Sequence, residues 1–290
     1  MKLGELLWRT DLTDKFVVQK FLCAFLSCSR EELWLDMDKE LSDELIQKVL
    51  VAYKSYVEDR KPIEYILGHV DFFWKEFFVN EATLIPRPET EYMITAATEY
   101  INSLKLEAWS LKPNLLLDIW TGCWVLWISV LLQNPTCFSH AIFSDYFTNA
   151  LEIAKRNYQK LITEFSWKVD FFQSDLLDFL VRWTSELPDG NTVLVANLPY
   201  IPEETFEQNV ADNVKKREPK PAFVGWDDGL DYYRIMLDQL VDLQPKNLMM
   251  FLEMMTWQVD ILRQLYDDKF IFEEVKTFHF NIRIVKAWLQ

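Results

Sequence analysis

Residues 191–202 of this chain read Asn191-Thr-Val-Leu-Val-Ala-Asn197-Leu198-Pro199-Tyr200-Ile201-Pro202. The run of β-branched and aliphatic residues predicts a buried strand, which ends where the Asn-x-Pro-Tyr tetrapeptide takes the backbone out of the sheet. Ligands of open α/β sheets bind beyond the carboxyl ends of the strands, and Asn197 is the first polar side chain there. Its carboxamide can accept from and donate to a planar nitrogen, and Tyr200 offers a flat face. Taken alone, a strand followed by a proline turn explains the segment equally well.

Length and composition describe an acidic chain with room for about two domains of roughly 100 to 200 residues each. The chain has 290 residues, and 45 acidic against 30 basic side chains give a net charge of −15. Such a balance is unsuited to a non-specific grip on nucleic acid phosphates, so we expect a neutral or locally basic partner and no direct nucleic acid contact. The sequence lacks both a signal-type segment and an apolar run of about 18 residues, so we also expect no membrane contact.

The cysteines and histidines argue against a metal site. Cys23, Cys28, Cys123 and Cys137 form no C-x-x-C pair, and the chain has only three histidines. These numbers and spacings do not match the ligand sets of zinc sites. We therefore expect no metal, reduced thiols and a cytoplasmic protein.

The sequence divides into three regions. Residues 1–70 carry apolar residues at helical spacing and predict a small helical domain, with Ser29 and Ser42 as N-caps and Gly68 as a helix stop. Residues 71–88 predict a β-hairpin turning at Trp74-Lys75, followed by a proline-rich linker. Residues 89–290 form the third region, which begins with a helix to about Leu104.

The third region alternates strands and helices, which is typical of a parallel α/β sheet. Strands are predicted at 115–118, 141–144, 169–173, 191–196 and 248–252, with a closing hairpin at 270–278 and 281–288, and helices follow the first two strands and the fifth. The fold class is therefore α/β, a Rossmann-like doubly wound sheet that is mostly parallel and carries a small helical domain in front.

Polar side chains follow successive strands of this sheet. Asp118, Asp145 and Asp175 come at the ends of the first three strands, and Asn197 follows the fourth. A carboxylate in this position can take both ribose hydroxyls, and another can accept from an exocyclic amine. Each aspartate alone could equally be a strand-end cap, but together they favour a nucleoside ligand.

Four stretches resemble the release-factor glutamine methyltransferases, the HemK/PrmC family of S-adenosylmethionine-dependent class I methyltransferases. They are Leu84-Ile-Pro-Arg-Pro-Glu-Thr-Glu91; the cofactor loop, residues 118–124; Asn197-Leu-Pro-Tyr200 in place of Asn-Pro-Pro-Tyr; and Glu218-Pro-Lys-Pro-Ala-Phe-Val-Gly-Trp-Asp-Asp-Gly-Leu230. The first and last are specific to this family, whereas Asn-x-Pro-Tyr also occurs in amino-methylating enzymes that act on nucleic acids.

The resemblance implies a reaction and a set of site residues. The reaction is methyl transfer from S-adenosyl-L-methionine to the side-chain amide nitrogen of the glutamine in the Gly-Gly-Gln loop of class I peptide-chain release factors. With this resemblance we expect a monomer whose helical domain docks the substrate. The implied catalytic residues are Asn197, Leu198 through its carbonyl, Pro199 and Tyr200, and the implied cofactor-binding residues are Asp118, Trp120, Thr121, Gly122, Cys123, Trp124, Asp145, Asp175, Leu176 and Asn197.

The cofactor loop departs from the family pattern Asp-x-Gly-Thr-Gly-x-Gly, because Trp120 and Trp124 stand where glycines belong. Glycine lets the backbone turn tightly and approach the ligand, whereas an indole would fill that space. Trp74, Trp226 and Trp257 occupy three further glycine positions of the family. The chain has 6 glycines and 12 tryptophans, although average usage predicts about 20 glycines.

We hypothesise that UGA codons which encode glycine in the source lineage are read here as tryptophan. The codons at these five positions test the hypothesis. The alternative is a tryptophan-rich paralogue that no longer binds the cofactor, in which case the chain is a non-catalytic scaffold. A further alternative, drawn from Asn-x-Pro-Tyr alone, is an amino-methyltransferase acting on nucleic acid, which the acidic charge disfavours.

Overall fold

The computed structural model describes residues 1–106, 115–123, 125–162, 168–181, 190–275 and 281–290. The chain begins with five helices: α1 (Leu3–Leu7), α2 (Lys15–Leu26), α3 (Arg30–Leu35), α4 (Asp43–Val57) and α5 (Ile63–Leu67). The predicted caps are confirmed, since Ser29 and Ser42 accept from the backbone amides of Glu32 and Leu45. Gly68 ends α5 with a φ of 78°, as the sequence predicted.

A hairpin and a tight turn join these helices to the rest of the chain. Strands β1 (His69–Phe72) and β2 (Lys75–Phe78) pair antiparallel, and Phe73 and Trp74 make the turn between them. A 3-10 turn at Pro88–Thr90 then leads into α6 (Glu91–Leu106). The hairpin was predicted, but its turn lies one residue earlier than the expected Trp74-Lys75, and β1 begins at His69 rather than residue 71. The helix was also predicted, and it runs two residues further than expected.

The described residues after α6 form a seven-stranded sheet in the order β5-β4-β3-β6-β7-β9-β8. Its strands are β3 (Leu115–Ile119), β4 (His140–Asp145), β5 (Lys168–Gln173), β6 (Thr192–Ala196), β7 (Leu248–Met255), β8 (Phe270–Val275) and β9 (Ile282–Leu289). Neighbours from β5 to β7 are parallel, whereas β9 is antiparallel to both β7 and β8. The predicted fold class is confirmed; residues 276–278 of the predicted hairpin lie outside the described residues.

Helices cover the sheet, which explains why its central strands are so apolar. They are α7 (Val125–Gln133), α8 (Thr148–Leu161), α9 (Asp178–Val181), α10 (Glu203–Asn209), α11 (Asp212–Arg217), α12 (Asp231–Leu243) and α13 (Thr256–Leu265). Every residue of β3 and β6 is buried, which is why both strands are almost continuous runs of aliphatic residues. The helices α10 to α12 lie between β6 and β7, where no element was predicted. No helix of the described residues is long and apolar enough to cross a bilayer.

The topology fixes where a ligand can bind. From β3 the chain moves outward to β4 and β5, then returns to place β6 on the other side of β3. The crevice beyond the carboxyl ends of β3 and β6 is therefore the switch point of the sheet, where ligands of open α/β folds bind. Ile119 pairs with Ala196 in register, so the loops that begin with Trp120 and Asn197 leave the sheet side by side.

Candidate active site

A cavity opens at this switch point. Its wall includes the side chains of Asn197, Asp145, Thr90 and Trp120, together with the loop Thr121–Cys123. The open space is about 200 Å³, below the roughly 300 to 1,000 Å³ of typical ligand pockets. The indole of Trp120 forms part of the cavity wall. Trp120 is a residue at which the family pattern of the cofactor loop has glycine.

Asn197 follows β6 directly and reaches the cavity, whereas the rest of its tetrapeptide lies behind it. The Asn197 Nδ2 atom donates to Thr90 Oγ1 at 3.4 Å. Leu198 and Pro199 are buried. The Tyr200 hydroxyl donates to Glu253 Oε1 at 2.9 Å, and Tyr200 is not among the residues that line the cavity. Asn197 is thus the member of the tetrapeptide whose side chain faces the cavity.

Asp145 is the last residue of β4 and is held firmly. Its Oδ1 accepts from the amide of Phe147 at 2.8 Å and its Oδ2 from the amide of Gly122 at 2.9 Å. Burial raises the pKa of this carboxyl to about 6, although the amides of Phe147, Gly122 and Tyr146 oppose the shift. Because each oxygen keeps a second acceptor site, the group can still bind a pair of hydroxyls.

The other two aspartates have different surroundings. Asp118 lies inside β3, 1% exposed, and its Oδ2 accepts from the Thr121 hydroxyl at 2.7 Å. Burial raises the pKa of Asp118 well above its usual range, and Asp145 adds to the rise. Asp175 lies two residues beyond β5 and is exposed, and neither it nor the buried Leu176 lines the cavity. The three carboxylates expected in one crevice therefore occupy three environments, and only Asp145 lines the cavity.

Trp120 heads an aromatic cluster beside Asp145. Its ring lies 4.5 Å from that of Tyr232, 6.2 Å from Tyr146 and 6.3 Å from Phe147, measured between centroids. Cys123 follows in the same loop, and burial raises the pKa of its thiol to about 12, so the sulfur stays protonated at neutral pH. Trp124 lies outside the described residues.

The backbone at three of the anomalous tryptophans has a glycine conformation. The φ angles are 60° at Trp74, 64° at Trp120 and 65° at Trp226. A side chain in this left-handed region costs roughly 1 to 2 kcal/mol, which glycine avoids. Trp257 differs, because it lies within α13 and has no positive φ. The backbone thus supports the hypothesis of replaced glycines at positions 74, 120 and 226.

Sequence reasoning missed the contacts that hold the 218–230 segment against the site. Glu218 is buried, accepts from the amide of Ile85 at 3.1 Å, and pairs with the Arg87 guanidinium at 2.7 Å. Gln258 is fully buried, and its Nε2 donates to the carbonyl oxygens of Tyr200 and Asp228, each at 2.8 Å. The linker and the 218–230 segment are therefore joined by an ion pair in which Glu218 is buried and Arg87 is partly exposed.

The same segment packs directly on the backbone of the tetrapeptide. The amide of Ile201 donates to the carbonyl of Phe223 at 2.8 Å, and the amide of Gly225 donates back to Ile201 at 3.1 Å. A Cβ atom at Gly229 would lie 2.0 Å from the carbonyl oxygen of Tyr200. The position of the Asn197 loop therefore depends on a bare backbone at Gly229.

We expect Gly229→Ala to destabilise the protein by more than about 3 kcal/mol, because a left-handed residue would also meet rigid backbone. Gly68→Ala is the matched control, since Gly68 has a similar φ of 78° with nothing within 4 Å of the added Cβ. It should lose only about 1 to 2 kcal/mol. Urea unfolding of both variants measures the difference, and equal losses would show that the contact with Tyr200 is unimportant.

Comparison with known proteins identifies the class and then the family. The fold is shared with the catalytic domain of hMettl16 in complex with a MAT2A 3′UTR hairpin (TM-score 0.53, 11% identity, 85% of this chain and 82% of that one). It is also shared with the N-terminal domain of human METTL16 in complex with SAH, with a TM-score of 0.50 and 15% identity. The match covers 87% of this chain and 84% of that one. The chain therefore shares the fold of these two domains.

Among curated proteins, release factor glutamine methyltransferases match most of the chain. The protein of Bacillus cereus is 32% identical over 249 residues, which is 86% of this chain and 82% of the relative. That of Francisella tularensis is 28% identical over 283 residues, 96% of this chain and 92% of the relative. No family model matches the chain. This chain belongs to the release factor glutamine methyltransferase family.

Proposed function

We propose that this chain, with glycine restored at positions 120 and 124, methylates the side-chain amide nitrogen of the glutamine in the Gly-Gly-Gln loop of class I peptide-chain release factors, with S-adenosyl-L-methionine as the methyl donor. The observation that carries the proposal is the placement of Asn197, whose side chain lines the same switch-point cavity as Asp145 and the loop Thr121–Cys123. The names of the relatives, which match over most of the chain, support the choice of substrate.

The residues present suit the cofactor in most respects. Asp145 offers a carboxylate fixed by two backbone amides, and the space beside Gly122 is open, since an added Cβ would meet nothing within 4 Å. We assign cofactor binding to Asp145, Thr121, Gly122 and Cys123, with Asp118 supporting the loop from below through Thr121. Trp120 does not suit the cofactor, because its indole fills space that glycine would leave free. We therefore define the glycine form as the chain with Trp120→Gly and Trp124→Gly.

The bound cofactor supplies a sulfonium that releases its methyl group readily, so the task of the protein is orientation. An amide nitrogen is a weak nucleophile because its lone pair is delocalised into the carbonyl. In the proposed site the Asn197 side-chain oxygen and the Leu198 carbonyl accept from the substrate NH2 and fix the direction of its nitrogen. Such orientation can contribute on the order of 7 kcal/mol to catalysis. Pro199 stiffens the turn, and Tyr200 anchors it through Glu253.

Labelled methyl transfer tests this function. The chain with tryptophan at positions 120 and 124 and the glycine form would each be incubated with methyl-labelled S-adenosylmethionine and one acceptor at a time. The acceptors are a class I release factor, the same factor with its loop glutamine replaced by alanine, RNA and DNA. We expect label only in the intact release factor, and only with the glycine form. Label in nucleic acid, or equal label in the glutamine-to-alanine factor, would contradict the proposal.

A further inference from the structure

The carboxyl group that anchors Tyr200 is buried behind the cavity. Glu253 lies in β7 and is 1% exposed. Its Oε1 accepts from the Tyr200 hydroxyl at 2.9 Å, and its backbone carbonyl accepts from the Tyr233 hydroxyl. Within the described part of the chain, Oε2 is buried without a hydrogen bond of normal geometry. A buried acceptor in this state is costly, so its retention needs a reason.

Two further side chains near the carboxyl group, those of Thr90 and Asn197, belong to the cavity wall. Thr90 and Asn197 lie close enough to the carboxyl group to stabilise its charged form, although neither makes a hydrogen bond of normal geometry to Oε2. The Asn197 Nδ2 atom also donates to Thr90 Oγ1. The NH2 end of the Asn197 carboxamide is therefore directed at Thr90, in the immediate neighbourhood of Glu253. Because the two ends of a carboxamide point in opposite directions, Oδ1 is left as the end available to a substrate.

We propose that Glu253 is a positioning residue, which holds the NH2 end of Asn197 inward so that its oxygen receives the substrate NH2. The inference rests on the proposed function and deepens it, because it assigns a cause to the orientation of Asn197. A carboxylate suits this role, since it only accepts hydrogen bonds. A carboxamide at position 253 could present either end and would let Asn197 turn over.

The ionisation of Glu253 provides a readout. Burial raises its pKa to about 7, while donors from Tyr200, Thr90 and Asn197 oppose the shift. The titratable groups that face it are Tyr200, Tyr233 and Glu89, and the charge of Glu89 adds to the rise. Burial raises the pKa of both tyrosines well above the usual value, so they stay neutral near pH 7. Asp145 lines the same cavity with a pKa of about 6, so the transition that belongs to Glu253 is the one that Glu253→Gln removes.

The test compares three substitutions, each made singly in the glycine form. Glu253→Gln keeps the shape and removes the charge, and Thr90→Val removes the hydroxyl that contacts Asn197. Glu273→Gln, which removes an exposed carboxylate paired with Lys286 on the neighbouring strands, is the control. We expect Glu253→Gln and Thr90→Val each to lower kcat at least about tenfold, with the Kd for S-adenosylmethionine changed less than about twofold. The parent kcat should rise with pH through about 7, and Glu253→Gln should lose this step.

A second measurement needs no activity. In the printed chain, the NMR signals of the Asn197 NH2 group should shift with a transition near pH 7, and Glu253→Gln should abolish the transition. The positioning role is wrong if these signals do not titrate, or if Glu253→Gln retains the parent kcat and pH profile. Should Glu253→Gln fail to fold, Thr90→Val and the titration of the parent decide the question. Absence of methyl transfer by the parent glycine form would instead contradict the proposed function.

Discussion

Replacing Trp120 and Trp124 with glycine is expected to increase the affinity for S-adenosylmethionine at least about 100-fold, from no measurable binding to a readily measured Kd. The reason is spatial. The Trp120 ring contacts Tyr232 and lines the cavity next to Asp145, the carboxylate proposed to bind the cofactor. Its left-handed φ of 64° adds strain that glycine removes. Isothermal titration calorimetry of both chains measures the change.

The control for this prediction is Trp257→Gly. Trp257 is also a tryptophan at a family glycine position, but it is exposed, lies within α13 and does not line the cavity. Its replacement should leave cofactor binding absent. Tight binding by the printed chain would contradict the account of Trp120, and so would a gain from Trp257→Gly as large as that from the double replacement.

Asn197→Ala in the glycine form is expected to lower kcat by about 10- to 100-fold, with the Kd for S-adenosylmethionine changed less than about twofold. The side chain of Asn197 lines the cavity and has its NH2 end engaged by Thr90. Its loss removes an acceptor for the substrate nitrogen but leaves the backbone bonds of Asp145 intact. Steady-state kinetics with release factor and direct cofactor titration separate the two effects.

Asn149→Ala is the matched control, because Asn149 lines the same cavity from α8 and is exposed. It should leave kcat within about twofold of the parent. If Asn197→Ala lowered cofactor affinity and kcat equally, Asn197 would have a structural role and no part in orienting the substrate.

The sheet could be predicted from sequence because its strands carry their own signal. Residues 193–196 are apolar without interruption, and they are buried together with Thr192. The caps at Ser29 and Ser42 follow from local chemistry that needs no tertiary contact. The helices between β6 and β7 were missed, and two of them, α10 and α11, are short and mostly polar.

A side chain could be assigned to the cavity from the sequence only where the direction of its strand fixes its position. Asp145 is the last residue of a buried strand and Asn197 directly follows another, so the sheet places both at the cavity. Asp175 lies two residues beyond its strand, where the direction of a side chain no longer follows from the sheet. The predicted strand ended at Leu252, but β7 continues through Glu253 to Met255. The Tyr200 hydroxyl, 53 residues away in sequence, is what makes burial of Glu253 tolerable.

Fragment mass spectrometry of a class I release factor treated with the glycine form and S-adenosylmethionine tests the central claim most directly. The account predicts one added methyl group, placed by the fragments on the side-chain amide nitrogen of the glutamine in the Gly-Gly-Gln loop, and almost none after treatment with the Asn197→Ala variant. A methyl group on any other residue, or an unmodified loop glutamine despite tight cofactor binding, would contradict it.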